Sequence, residues 1–130
     1  MIDTDIFVYS LKGEPQVLEH FRRTASAPKA LSVVSYGELL YGALKSRRRQ
    51  ENLARVRRLG ELFPVIEVTG SIMETFASLK ADLDARGKPL DDFDLVIAAT
   101  AMALGYRLVS NNERHFRRVA GLHLENWTRP

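Results

Sequence analysis

A chain of 130 residues, 45% hydrophobic and 27% charged, has the length of one domain and the composition of an ordinary globular protein with a core of its own. It has no cysteine, which excludes disulfides, iron–sulfur clusters and thiolate zinc sites, and no apolar run approaches the roughly 18 residues of a membrane span. The net charge is only +3, yet arginine outnumbers lysine fourteen to five, a bias that suits planar recognition of phosphate.

The chain opens on Met1-Ile2-Asp3-Thr4-Asp5, an apolar–acidic stretch with no room for the basic start of a signal peptide; a cytoplasmic protein is expected. Met1–Thr4 reads as a short strand, followed by a short helix over Ile6–Leu11 and a break at Gly13-Glu14-Pro15. Gln16–Ala25 carries Val17, Leu18 and Phe21 at helical spacing. Ala30–Val34 is an apolar strand, and Ser35 opens a helix bearing Leu39, Leu40, Ala43 and Leu44. Glu51–Leu62 is a further helix that Pro64 ends, and the β-branched run Val65–Val68 is a strand. Gly70 marks a turn before a long helix over 72–85. A nearly all-apolar helix runs from Asp91 or Asp92 to Ala103, a pattern that predicts burial on every side. Arg107–Ser110 is a strand, Glu113–Val119 a short helix and Leu122–Trp127 a last strand.

Strands that alternate with helices, without hairpin signals between them, predict an α/β fold over residues 1–130: a central parallel sheet of about five short strands flanked by helices. In such sheets, sites form beyond the carboxyl ends of the strands. Asp3, Ser35 with Glu38, and Asn111-Asn112 all lie just past predicted strand ends, and Asp94, early in the buried helix, can face the same edge.

Each acid has a structural explanation when taken alone. Asp and Glu near helix starts cap free N–H groups and complement the helix dipole, and Ser35-Tyr36-Gly37-Glu38 fits the capping-box pattern. Taken together they exceed what capping needs, since Asp3-Thr4-Asp5 and Asp91-Asp92-Phe93-Asp94 each supply more than one carboxylate. Carboxylates gathered at one sheet edge repel unless a cation neutralises them. An all-oxygen donor set suits Mg²⁺ or Mn²⁺. The basic clusters Arg22-Arg23, Arg47-Arg48-Arg49, Arg55-Val56-Arg57-Arg58, and Arg114 with Arg117-Arg118 are each explained as solvated helix faces. Around an acidic centre they would form a rim for nucleic acid.

These residues also carry a resemblance. Met1-Ile2-Asp3-Thr4-Asp5 resembles the opening motif of PIN-domain proteins, and Ser35-Tyr36-Gly37-Glu38-Leu39-Leu40-Tyr41-Gly42 resembles their helix with a single acid. Asp92-Phe93-Asp94-Leu95-Val96-Ile97-Ala98-Ala99 is similar to the segment with their third acid. Leu108–Phe116 and Gly121–Trp127 are similar to their C-terminal pattern. The order is kept over nearly the whole chain, and the similarity is greatest to the VapC-type toxins of bacterial toxin–antitoxin pairs.

The resemblance implies an Mg²⁺- or Mn²⁺-dependent endoribonuclease with Asp3, Glu38 and Asp94 as its shared acids, a VapB-like antitoxin as partner, RNA as substrate and a homodimer. Asp3 and Asp94 are expected to ligate the metal, and Glu38 to hold a water or a second ion. Thr4 and Ser110 are expected to supply hydrogen bonds, Asn112 to orient a water, and Arg114 or Arg47 to hold the RNA backbone. Two positions depart from the pattern: Asp5 stands where the family often has Asn, and Asn112 where many relatives have a fourth acid. His115 precedes the core anchor Phe116 and is expected to face outward or toward the substrate rim, and Trp127 to be a core plug or an interface residue rather than a base-stacking platform. Two rival readings remain. A HAD-like phosphotransferase would use Asp3-x-Asp5, but Ile6-Phe7 replaces its small turn residues and no lysine follows Leu90. A non-catalytic RNA- or protein-binding module would keep the fold alone.

Overall fold

The computed structural model describes residues 1–130. Helices α1 (Thr4–Leu11), α2 (Pro15–Arg23), α3 (Val33–Leu44), α4 (Arg49–Leu62), α5 (Gly70–Ala85), α6 (Asp92–Leu104) and α7 (Glu113–Phe116) alternate with short strands. The strands are β1 (Leu31–Ser32), β2 (Val65–Ile66), β3 (Leu108–Val109) and β4 (Leu124–Glu125). β1 pairs with β2 and β3 with β4, both in parallel. The N-terminal segment joins the two pairs: Ile2 bridges Val109 in parallel, and its N–H donates to the Ala30 carbonyl at 2.9 Å. In place of one sheet of about five strands there are thus two two-stranded parallel sheets, set side by side in the order β2, β1, Met1–Asp3, β3, β4 and linked only through the N-terminal segment.

The strands are shorter than their apolar runs predict, and helix caps claim two of the strand ends. The Ser32 hydroxyl accepts from the Val34 N–H at 3.1 Å, so α3 begins at Val33 and absorbs two residues expected in a strand. Ser35 is consequently not a cap, and the capping-box reading of Ser35 and Glu38 is corrected: Ser35 is buried inside the helix and Glu38 lies in its second turn. Asp3 likewise accepts from the Thr4 N–H at 2.8 Å and caps α1, which limits the first strand to a bridge at Ile2.

The sheet separates two apolar layers, and strand alternation assigns side chains to them. Ile2 and Val109 join Ile6, Phe7, Val17, Leu39 and Val56 from α1 to α4. Their neighbours Met1 and Leu108 join Leu83, Leu95, Ile97, Ala98 and Phe116 from α5 to α7. Trp127 closes the first layer as expected, with Phe21 edge-on at 5.0 Å and His20 stacked at 5.4 Å. α6 is buried from Leu95 through Ala101 and ends at Gly105, whose φ of 69° is left-handed. No helix is long and apolar enough to cross a membrane.

Candidate active site

Parallel strands deliver their ends to one edge, where α1 and α3 start, and the acids gather there. Asp3 leaves its strand buried, only 5% exposed. One carboxylate oxygen caps α1, and the other accepts from the Ser110 hydroxyl at 2.7 Å. Ser110 follows β3 and is itself buried; its oxygen also accepts from the Asn112 N–H at 2.9 Å. Thr4 Oγ1 donates to Glu38 Oε1 at 2.7 Å, tying α1 to α3. Asp94 arrives from the first turn of α6. Asp5 Oδ2 accepts from the Asn111 N–H at 3.0 Å, while Asp5 Oδ1 is buried with no partner.

These groups line a cleft of about 580 Å³: Asp3, Asp5, Glu38 and Asp94 together with Thr4, Val8, Tyr9, Lys12, Asn111 and Asn112. The nine ion pairs of the chain all lie elsewhere. Four carboxylates thus share the cleft with one cation, Lys12. Burial raises the Asp3 carboxyl above its ordinary value, with Glu38 adding to the rise and the bonds from Ser110 and Thr4 opposing it. Asp5 is pushed up to about 7, first by burial and then by the Asp3 charge. Asp94 is pushed up to about 6 by burial and by Asp3, Asp91 and Glu38. Such crowding favours a cation at the centre.

The donors suit a hard divalent ion. They are all oxygen, one buried carboxylate oxygen has no protein partner, and the repulsion among them falls when such a cation binds. No three His, Asp or Glu side chains converge into a finished cage as they stand, so the fit rests on donor chemistry and electrostatics.

Of the residues singled out from sequence, Asp3, Thr4, Glu38, Asp94 and Asn112 line the cleft, and Ser110 stands behind Asp3. Arg47 and Arg114 are exposed and do not line it. His115 is exposed as expected. Asn111, expected at this edge but given no role, also lines the cleft, whereas Val8, Tyr9 and Lys12 were not expected there. The signal for these three was available: from Asp5, positions 8, 9 and 12 follow at helical spacing and share one face of α1 and its C-cap.

Comparison with known proteins agrees with this architecture. The family model described as the PIN domain matches residues 1–122. The chain is 35% identical over 128 residues to "Ribonuclease VapC2" of Haemophilus influenzae, covering 98% of this chain and 96% of the relative. It is 31% identical to "tRNA(fMet)-specific endonuclease VapC" of Shigella flexneri, covering 98% and 97%. The structure of VapBC2 from Rickettsia felis, bound to a DNA fragment from its promoter, superposes with a TM-score of 0.91 at 29% identity, covering 98% of this chain and 97% of that one. With its parallel sheet, its acidic edge and relatives matched from end to end, the chain belongs to the PIN-domain family, among its VapC-type members.

Proposed function

We propose that this protein is a divalent-metal-dependent endoribonuclease acting in the cytoplasm as the toxin of a toxin–antitoxin pair. The observation that carries the reading is the cleft itself: four carboxylates without an ion pair, on a chain whose relatives bear ribonuclease names. Asp3 and Asp94 would hold Mg²⁺ or Mn²⁺, with Glu38 toward a water or a second ion. The bound ion supplies Lewis acidity to a phosphoryl oxygen and lowers the pKa of water.

The chain's own residues do the positioning. Ser110 and the Thr4 N–H fix both oxygens of Asp3, and the Thr4 hydroxyl fixes Glu38, so the acids are preorganised rather than recruited. Asn112 orients a water without adding charge. Lys12, at the C-cap of α1, meets a backbone phosphate, and Arg47 and Arg114 hold RNA farther from the cleft, where salt screens them. A VapB-like antitoxin as inhibitor and a homodimer of toxin subunits belong to the same reading, supported by solved complexes whose titles name VapBC pairs.

The test is RNA cleavage by the purified protein with Mg²⁺ or Mn²⁺. Chelation by EDTA is expected to abolish it reversibly. Asp94→Asn is expected to lose roughly 100-fold or more, on the scale of lost electrostatic stabilisation, and to relieve the growth arrest that expression of the wild type causes. Asp3→Ala should still bind RNA. Undiminished cleavage by both variants would sink the metal-site reading, and phosphomonoester hydrolysis with RNA left intact would favour a phosphotransferase.

A further inference from the structure

Asp5 is the acid that the proposed mechanism leaves unused, and its surroundings are unusual. It lies in the first turn of α1, a place where an acid complements the helix dipole from solvent. A dipole contact does not require burial, yet Asp5 Oδ1 is buried with no hydrogen-bond partner. Its other oxygen is fixed by the Asn111 N–H at 3.0 Å. Asn111 is held in turn: its side chain donates to the Tyr9 hydroxyl at 3.2 Å and accepts from Asn126 at 3.0 Å. The fold thus immobilises one carboxylate oxygen and leaves the second without a well-formed hydrogen bond, only the adjacent Ile6 N–H adding to the Asn111 N–H as a donor near the carboxylate, on a side chain that lines the cleft. Such an arrangement costs stability unless something answers it.

No protein cation answers it, since Asp5 takes part in none of the ion pairs. Beside it, Asn111 and Asn112 bring polar atoms to the cleft but no charge. Resting on the metal-dependent reading above, we propose that Asp5 is a fourth carboxylate of the cation site, its free Oδ1 adding charge and an oxygen donor where the two asparagines bring no charge. The site then has four acids despite the neutral side chain at position 112.

The test is Mn²⁺ binding by the full chain, followed by electron paramagnetic resonance of the free ion, with melting temperature measured in parallel. Asn at position 5 keeps an oxygen for the Asn111 N–H, so Asp5→Asn removes charge while leaving that bond available. Asp5→Asn is expected to weaken Mn²⁺ binding by about tenfold or more, as for other groups that support a metal, and to shrink the rise in melting temperature that Mn²⁺ causes. Adding Asn112→Asp to Asp5→Asn returns a charge to the same cleft and is expected to recover affinity. If Asp5→Asn binds Mn²⁺ like the wild type while Asp94→Asn loses it, the role of Asp5 is overturned and the metal site stands. If both variants bind like the wild type, the metal-dependent reading fails as well. A lower metal-free melting temperature with an undiminished Mn²⁺ response makes Asp5 purely structural and also overturns the proposal.

Discussion

At the scale of single residues, two buried serines make opposite predictions. Ser110 Oγ donates to Asp3 and accepts from the Asn112 N–H, so Ser110→Ala strands a carboxylate oxygen and a backbone donor at once. The expected loss is about 1–3 kcal/mol of stability, read by urea denaturation, with reduced cleavage because Asp3 is no longer held. Ser35 Oγ is buried without a partner. Ser35→Ala removes that unsatisfied hydroxyl and is expected to be neutral or stabilising, by up to about 1 kcal/mol. A large loss in the Ser35 variant would mean that its hydroxyl has a partner after all.

At the scale of elements, the boundary between β1 and α3 decides where Glu38 points. Ser32 supplies the cap, and Ser32→Ala is expected to cost about 1 kcal/mol, measured by thermal unfolding, whereas the Ser35 change leaves the helix start intact. The sequence contains two serines three residues apart, and both are reasonable caps. Propensity favours Val33 and Val34 as strand; the hydrogen bond from Val34 N–H to Ser32, together with parallel pairing that ends at Ser32 and Ile66, places them in the helix instead. Existence and order of the helices were legible from apolar spacing, while the strand ends were not, because a cap and a ladder compete for the same backbone groups.

At the scale of the whole molecule, the crowded acidic cleft is a cost that the fold carries and that a bound cation would relieve. Asp94 and Asp5 titrate at about 6 and about 7 in the folded chain, against an ordinary value of 3.8. A carboxyl raised on folding contributes stability that is fully present below its unfolded value and is lost as pH rises through the folded value. The gap in melting temperature between Asp94→Asn and the metal-free wild type should therefore widen in favour of the variant as pH rises from 3.8 to about 6, then level off. Added Mn²⁺ should close the gap by stabilising the wild type. A constant difference across that range would contradict the crowding of charge.

The sequence alone determined the α/β class and the helix order and picked out Asp3, Glu38 and Asp94 as candidate acids, because apolar periodicity and residues at strand ends are local features that a linear reading can follow. Only the tertiary structure decided which polar groups share a cavity. It brought Lys12 and Tyr9 into the cleft, left Arg47 and Arg114 outside it, and fixed Asp5 by a bond to a residue 106 positions away. Contacts of that range depend on how the sheet edge closes, and burial, which sets the carboxyl pKa values, exists only once it has closed.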